Sequence, residues 1–265
     1  MIRKIIYSAP IKKQLMVLGL LSVAIITNAA SPANDSFPGS SRIWGGVSMG
    51  AANIGADRNT TSMGFPDDAL LLTDQFSNRN FHQTTGFIGV EAGYDRLLGN
   101  GTVVLGVGAE ATLPFGNVQR TQTPPFDGVP GGSVFRQDNT NNWSVSALAR
   151  AGLQATSSTQ LFVEAGPTAG GWTLNDEEIF VSYHTNTASC NSTLLGGTAK
   201  AGIEHQVGRN LSVGGQVSYT KYQSKTCTSE GVDSDGFPSG TIVTTKYSPD
   251  TAAVSLFVHA TGCGG

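Results

Sequence analysis

The sequence predicts an all-β chain, an antiparallel up-and-down transmembrane β-barrel of eight strands with short periplasmic turns and four long outer loops. Three observations carry this. Segments of about ten residues alternate with period two, one face apolar and the other mostly Gly, Ser and Thr, as a barrel strand in lipid requires. The connections between them alternate between a few residues and long polar stretches. The N-terminus reads as an export signal.

Composition narrows the classes first. Charged residues are 13% of the 265, against roughly 25% in an ordinary soluble domain. The 34 glycines, with little Glu, Lys or Leu, favour strands over helices. A net charge of -3 offers no basic field for phosphates, which sets nucleic acid aside as a partner. Arg3, Lys4, Lys12 and Lys13 precede an uncharged run from Leu15 to Ile26 and a small-residue exit at Ala29 and Ala30. That run of about 12 apolar residues is shorter than the roughly 20 needed to span a bilayer as a helix. We therefore expect residues 1–30 to be a signal peptide and residues 31–265 to form the barrel domain.

The strands follow in order. RIWGGVSMGAA is the first. In TGFIGVEAGYD, Ile88, Val90, Ala92 and Tyr94 share one face, and Phe87, Gly89, Glu91, Gly93 and Asp95 the other. A short reversal at Asn100 and Gly101 leads into TVVLGVGAEATL, where Val103, Leu105, Val107, Ala109, Ala111 and Leu113 oppose Thr102, Val104, Gly106, Gly108, Glu110 and Thr112. WSVSALARAGL and LFVEAGPTAGGW form the next hairpin, with Arg150 and Glu164 on the less apolar faces. LGGTAKAGIEHQV and LSVGGQVSYTKY form the third, with Lys200 and Glu204 on the small polar side and His205 a polar intruder on the apolar side. TAAVSLFVHA is the last. The long links run from about Asn53 to Gln83, Asn117 to Asn142, Asn175 to Leu194 and Ser224 to Tyr247, far above the usual 4 to 6 residues. A ten-stranded variant follows if part of the first link is itself a hairpin.

A soluble sandwich or lipocalin-like barrel would turn the apolar faces inward and the other faces to water. The non-apolar faces are too poor in long charged side chains for that, and suit a narrow interior. With the apolar faces on lipid, Glu91, Glu110, Arg150, Glu164, Lys200 and Glu204 point inward and form a barrel-interior ionic cluster. Unpaired charge there is expensive, so acids and bases from neighbouring strands are expected to pair and share trapped water, Glu110 with Arg150 or Lys200.

Other motifs carry little. Gly106-Val-Gly108-Ala-Glu110-Ala111 matches a dinucleotide fingerprint, but Pro114 and Gly116 follow where a helix should begin. The histidines are spread over loops (His82, His184) and strand ends at the opposite rim (His205, His259), so no Ser/His/Asp set is assembled and no catalytic residue is assigned. Loop carboxylates Asp67, Asp68, Asp74, Glu177 and Glu178 read as solvated charge rather than a hydrolase rim. Asp233-Ser-Asp235-Gly236 lacks the later bidentate Glu of a calcium loop. No metal spacing and no cofactor motif is present. Cys190 and Cys227 fall in adjacent outer loops, where an oxidising compartment permits a disulfide closing about 37 residues. Cys263 is expected to stay unpaired or to act between chains.

The strands RIWGGVSMG, GFIGVEAGYDRLLGNGTVVLGVGAEATL, VSALARAGLQA and LLGGTAKAGIEHQVGRNLSVGGQVSYTKY resemble the small eight-stranded OmpA-type barrels of Gram-negative outer membranes. They are most similar to the porin-like outer-membrane immunogenic proteins of alphaproteobacteria. The resemblance implies the outer membrane as location, a monomer, lipid and lipopolysaccharide along the barrel, and host or environmental ligands at the outer loops. Such barrels usually end on an aromatic residue, whereas here Phe257 and Val258 lie inside the last strand and a short tail follows. The expected role is structural and surface-interacting, not enzymatic. The alternatives are a small-solute or ion-conducting porin-like channel, then a loop-based ligand binder, including haem capture by His82 or His184, or an outer-membrane hydrolase.

Overall fold

The computed structural model describes residues 41–63, 79–98, 102–115, 118–122, 134–180, 184–233 and 238–263. The expected signal peptide at 1–30, the carboxylates Asp67, Asp68 and Asp74, and the turn at 234–237 lie outside these residues. The elements are β1 (Ser41–Met63), β2 (Arg79–Leu98), β3 (Val103–Phe115), β4 (Val118–Gln122), β5 (Val134–Thr156), β6 (Thr159–Phe180), β7 (His184–Gly208), β8 (Leu211–Tyr222), β9 (Lys225–Asp233) and β10 (Pro238–Cys263).

Neighbouring strands pair antiparallel in the order β1-β2-β3-β5-β6-β7-β8-β10, and β10 returns to β1, so the sheet closes. Closure leaves no free edge to satisfy in lipid. The two remaining segments extend existing walls. β4 continues the line of β3 along β5, and β9 continues that of β8 between β7 and β10. Ten segments therefore build eight walls. β1 and β10 stay paired from Arg42↔Cys263 up to Met63↔Ile242, and residues 64–78, where a hairpin within the first link would fall, lie outside the described residues.

The long links were expected to be loops, and the structure corrects this. β1, β2, β5, β6, β7 and β10 run deep into them, with pairs such as Phe180↔His184 at the far end. These stretches are rich in Thr, Ser, Asn and Val, and a closed sheet can keep extending its ladder because each added pair satisfies backbone N–H and C=O groups. Their polarity on the outward face hid the period from an apolar-pattern reading.

Side-chain direction divides the wall into two storeys, with the pleat unchanged along β1, β6, β7 and β10 and shifted by a bulge in β5 between Asn141 and Trp143. In the lower one, Val47, Met49, Leu105, Val107, Val163, Leu195, Val217, Val254 and Leu256 are exposed on the outside, while Glu91, Glu110, Arg150 and Glu204 are buried inside. In the upper one, Ile54, Trp172, Leu174, Leu194, Tyr222 and Tyr247 are buried inside, and Asn53 and Asp57 face outward. The pattern inverts where the outer solvent changes from lipid to water. Asp250, paired in register with Lys221, is the first outward charge above the apolar positions of β10.

This placement yields a sharp expectation. Leu256 is 69% exposed, so in water Leu256→Arg would be nearly silent. Facing the bilayer it should cost about 2 to 4 kcal/mol, measured by reversible unfolding in phospholipid vesicles.

Candidate functional site: the barrel interior

The interior is built in layers, described here from the periplasmic end, where the Ser157-Ser158 and Arg209-Asn210 turns and the ends of β1 and β10 gather. Short turns mark that end as periplasmic. A cavity of about 50 Å3 opens there, lined in part by Arg42, Gln154, Gln160, Glu204, Gln206 and Ser212.

Above it lies an ionic layer. Arg42 Nε donates to Asp95 Oδ2 at 2.9 Å, and its Nη2 donates to Gln160 Oε1 at 2.7 Å and Glu204 Oε2 at 3.3 Å. Arg150 is central. Its Nη2 lies 2.6 Å from Glu204 Oε2, its Nη1 3.3 Å from Glu164 Oε1 and its Nε 3.9 Å from Asp95 Oδ2. The same guanidinium lies 4.1 Å from the Phe162 ring centroid and 4.9 Å from that of Trp44, both cation–π distances. Ser212 Oγ donates to Glu204 Oε1 at 2.5 Å. Higher up, Lys200 Nζ sits 2.6 Å from Glu110 Oε2 and 3.9 Å from Glu164 Oε2.

The glycine wealth of the inner faces has a steric cause here. A Cβ at Gly93 would stand 2.4 Å from the Trp44 ring, one at Gly202 2.5 Å from Phe162, and one at Gly214 2.2 Å from Phe257. These three inward aromatics each stand against a glycine of a neighbouring strand, which lets a narrow barrel hold large rings beside its charges.

A hydroxyl ladder crosses the wall above the ions. Ser146, Thr168, Thr198 and Thr220 link β5 to β8 through contacts of 2.8, 2.5 and 2.8 Å. It borders a second cavity of about 50 Å3, lined among others by Glu110, Lys200, Thr198, Gln216, Ile54 and Tyr222 and large enough for a few waters. The roof is the upper apolar core, in which Trp172 packs edge-on against Tyr222 at 5.2 Å between centroids. Cys190 and Cys227 form a disulfide at this level with Cα atoms 6.1 Å apart, tying β7 to β9. Exchanging both cysteines for alanine should lower stability by about 2 to 4 kcal/mol, as read from denaturant midpoints under oxidising conditions.

All six residues read as an inward cluster are buried, at most 9% exposed, and the structure brings them together: Lys200 meets Glu110, and Arg150 meets Glu164 and Glu204. Glu91 turns instead to His259, whose Nε2 lies 3.0 Å from Glu91 Oε1. Arg42, Asp95, Gln160 and His259 were missed as members. Asp95 already shared the inward face of Glu91, and Arg42 and Trp44 alternate inward in RIWGG. His259 was placed at the rim, but its register partner is Gly46, and it is buried with Phe257 on the inner face of β10. Phe257 points inward onto His259 at 4.3 Å between centroids, while Val258 points out. His205 is outward and bonded to Thr159 Oγ1 at 2.9 Å. Among the described residues no group of three or more His, Cys, Asp or Glu is arranged to hold a metal ion.

An apolar outer belt, a polar interior and a closed antiparallel wall can coexist only in a bilayer reached by strands. The chain is an outer-membrane β-barrel. Solved structures similar to this barrel include the attachment invasion locus protein Ail of Yersinia pestis, with 11% identity and a TM-score of 0.32 over 79% of this chain and 97% of that one. Neisserial surface protein A is similar at 12% identity and a TM-score of 0.34, over 79% of this chain and 95% of its own. OprG of Pseudomonas aeruginosa has 14% identity and a TM-score of 0.40, over 81% and 95% respectively. No protein-family model matches the sequence. No curated protein matches it either.

Proposed function

We propose that this barrel is a closed structural and surface-interacting protein of the outer membrane, not an enzyme, akin to the porin-like outer-membrane immunogenic proteins of alphaproteobacteria. The supporting observation is the layer of Trp44, Glu91, Arg150, Phe162, Glu164, Phe257 and His259. All are at most 4% exposed, and none lines either cavity. Eight strands leave room only for side chains, and here charged and aromatic groups fill it.

A buried ion pair seldom adds net stability over apolar filling, because desolvation offsets the attraction. Its use is specificity: each acid has a base at one height on another strand, so a slipped register leaves charges unpaired. Lipid and lipopolysaccharide contact the outer belt, and the upper storey offers its rim to host or environmental molecules. The protein works as a monomer in this reading, a role supported by a closed wall that needs no second copy to satisfy its strand edges.

Deleting the gene in its native host tests this role. Sensitivity to detergent and to bulky antibiotics should rise and return to normal with the wild-type copy. Unchanged sensitivity together with slower uptake of small solutes would instead support a channel.

A further inference from the structure

We propose that the polar chamber above the plug binds a small uncharged molecule carrying both a hydrogen-bond donor and an acceptor, such as a primary amide or a diol, and that this solute enters through a break in the wall between β3 and β5. This site adds to the structural role above, since the plug closes the chamber from below and the solute is held rather than passed on.

The break follows from the register. β3 and β5 pair from Val103↔Leu153 to Thr112↔Ser144. The same register would continue by setting Leu113 on Trp143, Pro114 on Asn142 and Phe115 on Asn141, and among the described residues none of these pairs forms. Pro114 has no N–H to give to a neighbouring strand. On β5, a bulge inserts Asn142 between Asn141 and Trp143, and its Nδ2 donates to Thr173 Oγ1 of β6 at 2.9 Å. Pairing to β5 resumes with β4 at Val118↔Asn139. The break falls at the upper edge of the apolar belt, because Val145 is exposed to lipid and Asn142 is the next exposed side chain above it. Irregular backbone at such a depth is tolerated where it lines a wet cavity. Pro114, Asn141 and Ser144, which flank the break, all line the chamber.

The chamber holds polar groups that the fold leaves unused. Asn141 Oδ1, Thr251 Oγ1 and Lys200 Nζ are buried in it without a hydrogen-bond partner, Lys200 keeping its ion-pair contacts to Glu110 and Glu164. Asn141 is 4% exposed. An amide oxygen only accepts and an ammonium only donates, so one molecule that serves both needs an N–H or O–H together with an oxygen acceptor. Glu110 and Lys200, the charged residues lining the chamber, already face each other at 2.6 Å, which favours an uncharged guest. Ile54, Phe87 and Ala253 supply an apolar side for a methyl or methylene group. A volume of about 50 Å3 suits a guest of about three to five non-hydrogen atoms, as roughly 10 to 15 Å3 holds one water. Acetamide has this size and this chemistry.

Two measurements on the full protein in detergent micelles test the site and its entrance. In saturation-transfer NMR on the wild type, the acetamide methyl signal should respond several-fold more strongly than that of acetone, which has the same shape and no donor. Equal responses, or acetate or methylammonium responding as strongly as acetamide, would overturn the proposal. Next, a single reactive cysteine is placed in the chamber by Ser144→Cys with Cys263→Ser. A small methanethiosulfonate reagent should modify it in the folded protein, and excess acetamide should slow the reaction several-fold. Deleting Asn142 together with Pro114→Val removes the bulge and the proline, and should also slow it several-fold by letting the ladder close. A cysteine that reacts only after unfolding, or at a rate that acetamide leaves unchanged, would refute the proposal, as would a rate indifferent to closing the break.

Discussion

Replacing Arg150 with methionine is expected to destabilise the barrel by about 3 to 5 kcal/mol, the usual result of removing one partner from a buried charge network. Arg150 meets Glu204 and Glu164 on two walls and lies over Trp44 and Phe162. Its loss would strand Glu164 with Lys200 at 3.9 Å as its nearest cation. Arg150→Lys should recover only part of the loss, because an ammonium cannot reproduce the planar fork or its stacking. Urea midpoints in vesicles would check both. A double replacement, Arg150→Met with Glu164→Gln, should be milder than the sum of the singles, since it removes part of the stranded charge.

Trp172→Ala should have a comparable effect, about 3 to 5 kcal/mol, for a different reason. The indole is 1% exposed at the centre of the upper core, against Tyr222 and beside Leu174 and Leu194. In this storey the wall is wetted outside, so the apolar interior supplies the hydrophobic drive that lipid-facing residues lack. Truncation leaves a cavity under the outer rim, next to the polar chamber. Besides the stability loss, faster cleavage of the upper strands by added protease is expected, with the lower storey unaffected. Equal resistance would show that the extension does not depend on its core.

How much of this was readable follows from which pattern each residue obeys. Glu110 looked misplaced in an apolar run, and period two alone sent it inward, where Lys200 receives it at 2.6 Å. The lower storey was legible because lipid demands an apolar outer face without interruption. The upper storey was not, because its alternation has the opposite sign. Ile54, Trp172 and Tyr222 follow the same pleat as Ser48, Glu164 and Gln216, so a reader tracking the outer face sees polar loop where the strand continues. His259 was hidden by Phe257: in SLFVHA both faces are bulky, and only the register with Gly46 shows which side is inward. Arg42 and Asp95 stand far apart in sequence, and no spacing rule joins them before the pairing of β1 with β2 sets them opposite each other.

Single-channel recording of the purified wild-type protein in planar bilayers tests the central claim of a sealed interior most directly. The layered plug and apolar roof predict a silent membrane at moderate voltage, with conductance emerging only when both Arg150→Met and Trp172→Ala are introduced. A steady, ohmic conductance from the wild type would contradict the account.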